Sequence, residues 1–110
     1  MKKVELQAVL QYEAPKHFAM TALRLHGKET GCNHFSVGLS HFLPGGGAEY
    51  DASPLEKVYL VLDGEITIKT QDEVVVLKKT DSIFIGANEG REIINETNQP
   101  ASMLVVMNYQ

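Results

Sequence analysis

Apolar residues recur along this chain at intervals of two rather than three to four. Glu65-Ile66-Thr67-Ile68-Lys69-Thr70 alternates strictly, as a half-buried strand requires. Lys57–Leu62 is rich in β-branched and aromatic residues and is the clearest strand of all. His17–Leu25, Phe35–Phe42, Val74–Leu77, Ser82–Ile85, Arg91–Asn95 and Ser102–Asn108 read as further strands. Residues 4–13 have no clear period and fit an edge strand or one helical turn. About eight or nine short strands, with turns about every 8–12 residues, form the pattern of a sandwich or small barrel.

The turns are marked by composition. Asp63-Gly64 predicts a tight hairpin between two strands. Pro44-Gly45-Gly46-Gly47 predicts a turn, with positive φ, that ends the strand before it. No Gly-Lys-Ser/Thr follows these glycines and no helix opens there, so they do not read as a phosphate loop.

Several strands are apolar on both faces. In Lys57–Leu62 one face carries Lys57, Tyr59 and Val61, and the other carries Val58, Leu60 and Leu62. A small barrel has one interior, so the second face must be covered by the N-terminal strands or by another subunit. A homodimer is the expectation. His41 reads as interface or core, and Tyr12, Tyr109 and the phenylalanines as core.

Composition narrows the class. A chain of 110 residues without repeat or linker is one domain spanning residues 1–110. A net charge of −4 with scattered Lys and Arg argues against nucleic acid. The single cysteine, Cys32, excludes an intrachain disulfide and suits a reducing compartment. Apolar runs such as Met103–Met107 are too short to span a membrane, and no apolar segment follows Lys2-Lys3. A cytoplasmic protein without membrane contact is expected.

The run Pro44-Gly45-Gly46 … Glu56-Lys57-Val58-Tyr59-Leu60-Val61-Leu62-Asp63-Gly64-Glu65, with Leu77–Ile85 and a closing Asn95, resembles the cupin family over roughly residues 36–107. The resemblance implies an all-β fold, the double-stranded β-helix or jelly-roll barrel of RmlC-like cupins, with residues 1–35 completing the sheet. The family's first motif is G-x5-H-x-H-x3,4-E-x6-G. Anchored on Gly64, it puts Gly45 at the leading glycine, Asp51 and Ser53 at the two histidines and Lys57 at the glutamate. The longer spacer would use Tyr50 and Ala52 instead. The second motif, G-x5-P-x-G-x2-H-x3-N, matches at Asn95 and puts Arg91 at its histidine, with Thr80, Gly86 and Asn88 at its remaining named positions.

All four metal-ligand positions of the family are therefore replaced. Protonated Lys and Arg repel a cation. The histidines, His17, His26, His34 and His41, never stand two or four apart. Glu49 and Asp51 could offer oxygen to a hard cation, and distant histidines could converge, but the reading is a cofactor-free, metal-free pocket.

The resemblance turns Lys57 into the barrel, and with it Arg91, Ile93 and Asn95 by alternation, while Ser40 and Phe42 face inward and His41 outward. Buried charges need partners. One pairing is internal, with Asp51 or Glu49 at the barrel mouth. The other is an anionic small molecule, a carboxylate or sugar acid, gripped by Arg91 and Lys57, with Tyr50, Asp51, Ser53 and Asn95 around it. A catalytic version makes Lys57 the base and Tyr59 or Tyr50 the acid of a metal-independent isomerase, epimerase or lyase, with Arg91 as anion clamp. A structural or regulatory dimer with a closed pocket is the third reading.

Overall fold

The computed structural model describes residues 1–109. Nine strands occur in chain order: β1 (Gln11–Tyr12), β2 (His17–His26), β3 (Phe35–Asp51), β4 (Lys57–Asp63), β5 (Ile66–Lys69), β6 (Val74–Leu77), β7 (Ser82–Ile85), β8 (Arg91–Ile94) and β9 (Ala101–Asn108). All pairings are antiparallel. The helical elements among the described residues are two 3-10 turns, Leu6–Ala8 and Lys28–Thr30. No helix among the described residues is long and apolar enough to cross a membrane.

The strands run in the order β6-β5-β8-β3-β9-β4-β7, with β2 along the other side of β3 and β1 beyond it. The long strand β3 makes this possible. Its first part, Phe35–Phe42, pairs with β9, and its last part, from Gly47 to Asp51, pairs with β8. One strand thus belongs to both walls, and the sheet folds over into a jelly-roll barrel.

The three glycines do not end the strand as their composition predicts. Gly45 has the positive φ of a turn residue, +80°, and its amide donates to the Asn95 carbonyl at 2.8 Å. Gly46 and Gly47 serve close approach instead. A Cβ on Gly46 would run into the Ala19 carbonyl oxygen, and one on Gly47 into that of Ile93. The chain bends at Gly45 and continues as strand because only glycine lets β3 lie this close to β2 and β8.

Asp63-Gly64 also differs from its composition. It does turn, with Gly64 at φ +77°, but β4 and β5 are not paired. The turn carries the chain from the β4 wall to the β5 wall, and Gly64 packs against Pro100 and Ala101. The ordinary hairpin is β5–β6, in register from Ile66↔Leu77 to Lys69↔Val74. Residues 4–13 form a 3-10 turn and a two-residue strand.

Alternation fixes the interior. On β4, Lys57, Tyr59 and Val61 are buried while Val58 and Leu62 are exposed. Phe42, Tyr59, Val61, Ile66, Ile68, Leu77, Ile85, Ile93 and Met103 form one core. At roughly 1.5–3 kcal/mol per fully buried large side chain, this cluster is the main favourable term in folding. The outer face of the β9-β4-β7 wall is apolar too, with Val58 40% and Phe84 57% exposed beside Val106 in one cross-strand row.

The two kinds of glycine predict different penalties. Gly47→Ala should cost on the order of 3 kcal/mol, because the β3–β8 ladder must shift. Gly45→Ala, with open space around its Cβ position, should cost about 1–2 kcal/mol for φ alone. Urea unfolding midpoints of the two variants check the order.

Candidate functional site

A cavity of about 260 Å³ opens inside the barrel. It is at the small end for ligand pockets, room for a monosaccharide-sized molecule. β4 contributes Lys57 and Tyr59, β8 contributes Arg91 and Ile93, and β9 contributes Met103, Val105 and Met107. Tyr12, Ala14, Pro15 and His17 close the remaining side from the N-terminal segment. Most of this lining is apolar. Its charges are cationic, and no Asp or Glu among the described residues lines it.

Lys57 is 4% exposed. Its ammonium donates to Ser53 Oγ at 3.1 Å and to the Leu55 carbonyl at 3.4 Å. Burial holds its pKa below the ordinary 10.5, and the Arg91 charge adds to the effect, while Asp51 and Glu89 oppose it. Arg91 Nε donates to Tyr59 Oη at 2.8 Å, and Nη1 to the Glu49 carbonyl at 3.4 Å. Tyr59 is 2% exposed, and burial raises its pKa above 10.0, although the Arg91 charge pulls the other way. Tyr59 therefore stays a phenol that accepts from Arg91 and keeps its O–H to donate.

The internal pairing with carboxylates is not made. Among the described residues, no carboxylate oxygen lies within 4.0 Å of Lys57 or Arg91. Asp51 is exposed and takes Lys16 instead, at 3.3 Å, which with that hydrogen bond lowers its pKa. Glu49 gives Arg91 only its backbone oxygen.

The candidate residues therefore divide. Lys57, Tyr59 and Arg91 line the cavity, and Ser53 touches it through Lys57. Asp51 lies at the mouth, across the β3–β8 register from Arg91. Tyr50 leans on Gly90, where a Cβ would strike its hydroxyl, and is not part of the lining. Asn95 is fully buried and holds a turn. It donates to the Phe42 and Gln99 carbonyls and accepts from the Thr97 amide and hydroxyl.

Three lining residues were not legible as such. Tyr12 stands on β1 with the Arg24 guanidinium 4.9 Å from its ring centroid, and Arg24 lines the same cavity. His17 donates from Nδ1 to the Pro15 carbonyl at 2.7 Å. All three lie before the stretch that carries the motif. The signal that places His17 and Arg24 is the inward phase of His17–Leu25, visible only once its register with β3 is known, and Tyr12 follows from the pairing of β1 with β2.

The sequence matches the family model described as Cupin domain over residues 38–107. The chain belongs to the cupin family. The match starts in β3 and ends in β9, so it contains Lys57, Tyr59 and Arg91 but not His17 or Arg24. A protein of Mycobacterium tuberculosis named beta-D-galactosidase Rv1717 is 38% identical over 108 residues, 97% of this chain and 93% of its own. The structure of the polyketide cyclase RemF from Streptomyces resistomycificus superposes with a TM-score of 0.89 at 21% identity, covering 100% of this chain and 80% of that one. A cupin-superfamily sugar phosphate isomerase from Silicibacter pomeroyi superposes with a TM-score of 0.82 at 21% identity, covering 99% and 76%. At that identity the two structures share the fold with this cupin.

Cupins commonly hold a metal at the four motif positions, and the donor chemistry of this cupin does not fit one. An ammonium and a guanidinium stand at two positions, and at a third Asp51 turns outward to Lys16. Ser53 at the fourth accepts from Lys57. Among the described residues no three His, Cys, Asp or Glu converge in a metal-holding group.

The buried ammonium predicts a pH signature. With the folded pKa of Lys57 below its unfolded value, the native state binds fewer protons between the two. Stability then rises with pH across that window, up to 10.5, and the penalty is full below it. Lys57→Met should flatten this rise and stabilise the protein near neutral pH by about 1 kcal/mol. Thermal unfolding of both proteins across that alkaline range checks it.

Proposed function

We propose that this cupin binds an anionic small molecule, a carboxylate or sugar acid, between Lys57 and Arg91 in a metal-free barrel pocket. The observation that carries the reading is a cavity lined by cations and by no carboxylate of the described residues. A bound carboxylate would supply the counter-charge the fold omits. Arg91 has N–H groups left for a forked contact, Lys57 has a third donor, and the Tyr59 hydroxyl points the remaining hydrogen bond. A sugar-derived acid agrees with relatives named for galactoside and sugar phosphate chemistry.

Calorimetric titration with sugar acids and keto acids tests this. At least one should bind near neutral pH, and Lys57→Met or Arg91→Met should weaken it by about tenfold or more. Affinity should fall as alkaline pH discharges Lys57, before the ordinary lysine range is reached. If no such acid binds, or if both variants bind as well as the parent, the reading fails.

The second reading is catalytic. Lys57, with its pKa lowered, would act as base and Tyr59 as acid in a metal-independent isomerase, epimerase or lyase, with Arg91 holding the substrate's acid group. The isomerase and cyclase names of two structural neighbours support this type of chemistry. Glycoside hydrolysis by the usual pair of carboxyl groups finds no such pair among the described residues of the lining. Turnover of a bound acid that is lost in Lys57→Met, with binding kept, would favour the catalytic reading over binding alone.

We also propose that a second copy of the chain covers the outer face of β9-β4-β7. The support is its apolar cross-strand row Val106-Val58-Phe84, with Val58 and Phe84 exposed, flanked by the half-buried pair Leu104-Leu60. A face of this kind closes most simply on its own two-fold mate, sheet against sheet. Sedimentation should give a dimer for the parent and a monomer for Val58→Glu with Phe84→Glu. A monomeric parent would overturn the proposal.

A further inference from the structure

Lys57 and Arg91 are not the only cations in the cavity. Arg24 shares the cavity-lining phase of β2 with buried Ala22 and is itself exposed, at the rim of the cavity. Its guanidinium is held over the Tyr12 ring, and no carboxylate of the described residues comes within 4.0 Å of it. A guanidinium stacked on a ring keeps its edge N–H groups for acceptors in its own plane.

The register shows where this charge stands relative to the first two. Arg24 is opposite Gly38, Gly38 is opposite Val105, and Val105 is opposite Tyr59. Tyr59 in turn carries Arg91 on its hydroxyl. Arg24 and the Arg91–Tyr59 pair thus stand at the two ends of one inward row. Three strand spacings separate them, about 14 Å along the curved sheet and less across it. The row between is apolar and low. A Cβ on Gly38 would meet only the Leu23 oxygen at 3.4 Å and the Val105 oxygen at 4.0 Å. Those are ordinary contacts, so packing does not demand glycine at this position. Its effect is to leave the path between the cationic ends open.

We propose that Arg24 is a second anion contact, and that the ligand is a dicarboxylate with its acid groups at the two ends of a short body. One carboxylate sits on Lys57 and Arg91, and the body crosses Gly38 and Val105. The other carboxylate takes the edge of Arg24. This assignment rests on the anion-binding reading of Lys57 and Arg91 and adds a length and a second charge to it.

The test is calorimetric titration with the straight-chain diacids from succinate to suberate, each against the monoacid of equal carbon number, at constant ionic strength. One diacid should bind at least about tenfold more tightly than its monoacid, the effect of one added charge-assisted contact. Arg24→Gln should erase that preference and leave the monoacid affinity unchanged. Gly38→Leu, which fills the row, should remove the diacid preference with Arg24 intact. The inference is overturned if no diacid exceeds its monoacid, if Arg24→Gln weakens both equally, or if Gly38→Leu binds the diacid as before. Should monoacids bind and respond to Lys57→Met while diacids gain nothing, Arg24 alone is misassigned. Should neither class bind, the anion reading falls with it.

Discussion

The barrel depends on a crowding constraint at two glycines. β3 passes so close to β2 at Gly46 and to β8 at Gly47 that a methyl group at either position would meet a carbonyl oxygen. That proximity lets one strand serve both walls, and it brings β8 round to face β4. Arg91 is the first residue of β8, and Lys57 the first of β4. Both line the cavity, and the Arg91–Tyr59 hydrogen bond ties the two walls together there. The bend that shapes the fold thus also gathers the charges.

Gathering the cations leaves the interior electrostatically unbalanced. Charges taken from water need a counter-charge or a full set of hydrogen bonds. Here buried Lys57 has an alcohol and a carbonyl, half-buried Arg91 has a phenol and a carbonyl, and Arg24, exposed at the rim, has an aromatic face. Those neutral contacts orient the cations without neutralising them. The nearby carboxylates remain at the mouth, where Asp51 is already engaged with Lys16. Oriented but unneutralised cations above an apolar floor are what the proposed anion would neutralise.

Much of this was legible in the sequence, and the parts that were not share a cause. Alternation alone gives the inward phase of Lys57, Tyr59 and Val61, because a period of two needs no knowledge of the partner strand. The motif frame locates Arg91 relative to Lys57, which local pattern cannot do across more than thirty residues. The glycines misled because composition reports backbone freedom without saying which use is made of it. Gly45 uses positive φ, whereas Gly46 and Gly47 use the missing side chain. Asp63-Gly64 misled similarly, since a tight turn can join two walls as readily as two paired strands. The carboxylate pairing of Lys57 was open in the sequence because side-chain choice at a barrel mouth depends on competitors, and Lys16 is the competitor for Asp51. His17 and Arg24 escaped because β2 enters the barrel only through its register with β3, and Tyr12 because β1 is placed by β2 in turn.

The charges at 57 and 91 make more sense as a functional cost than as a structural device. A barrel selected for stability alone gains by placing apolar side chains there, since a buried cation without a carboxylate is penalised and well-packed hydrophobes of similar volume are not. The surrounding lining, with Met103, Val105, Met107 and Ile93, would accept them. Lys57 and Arg91 are present nonetheless, held by contacts that fix their direction. The proposed anion would recover the free energy withheld by this placement, because a ligand that binds only the native state stabilises it by mass action. The same low-dielectric lining that depresses the Lys57 pKa also strengthens its attraction for a carboxylate, provided the ligand itself excludes water. Desolvation and the proposed recognition would in this way be two consequences of one placement: an ammonium at the start of β4, 4% exposed, with a hydroxyl and a carbonyl but no acid of the described residues beside it.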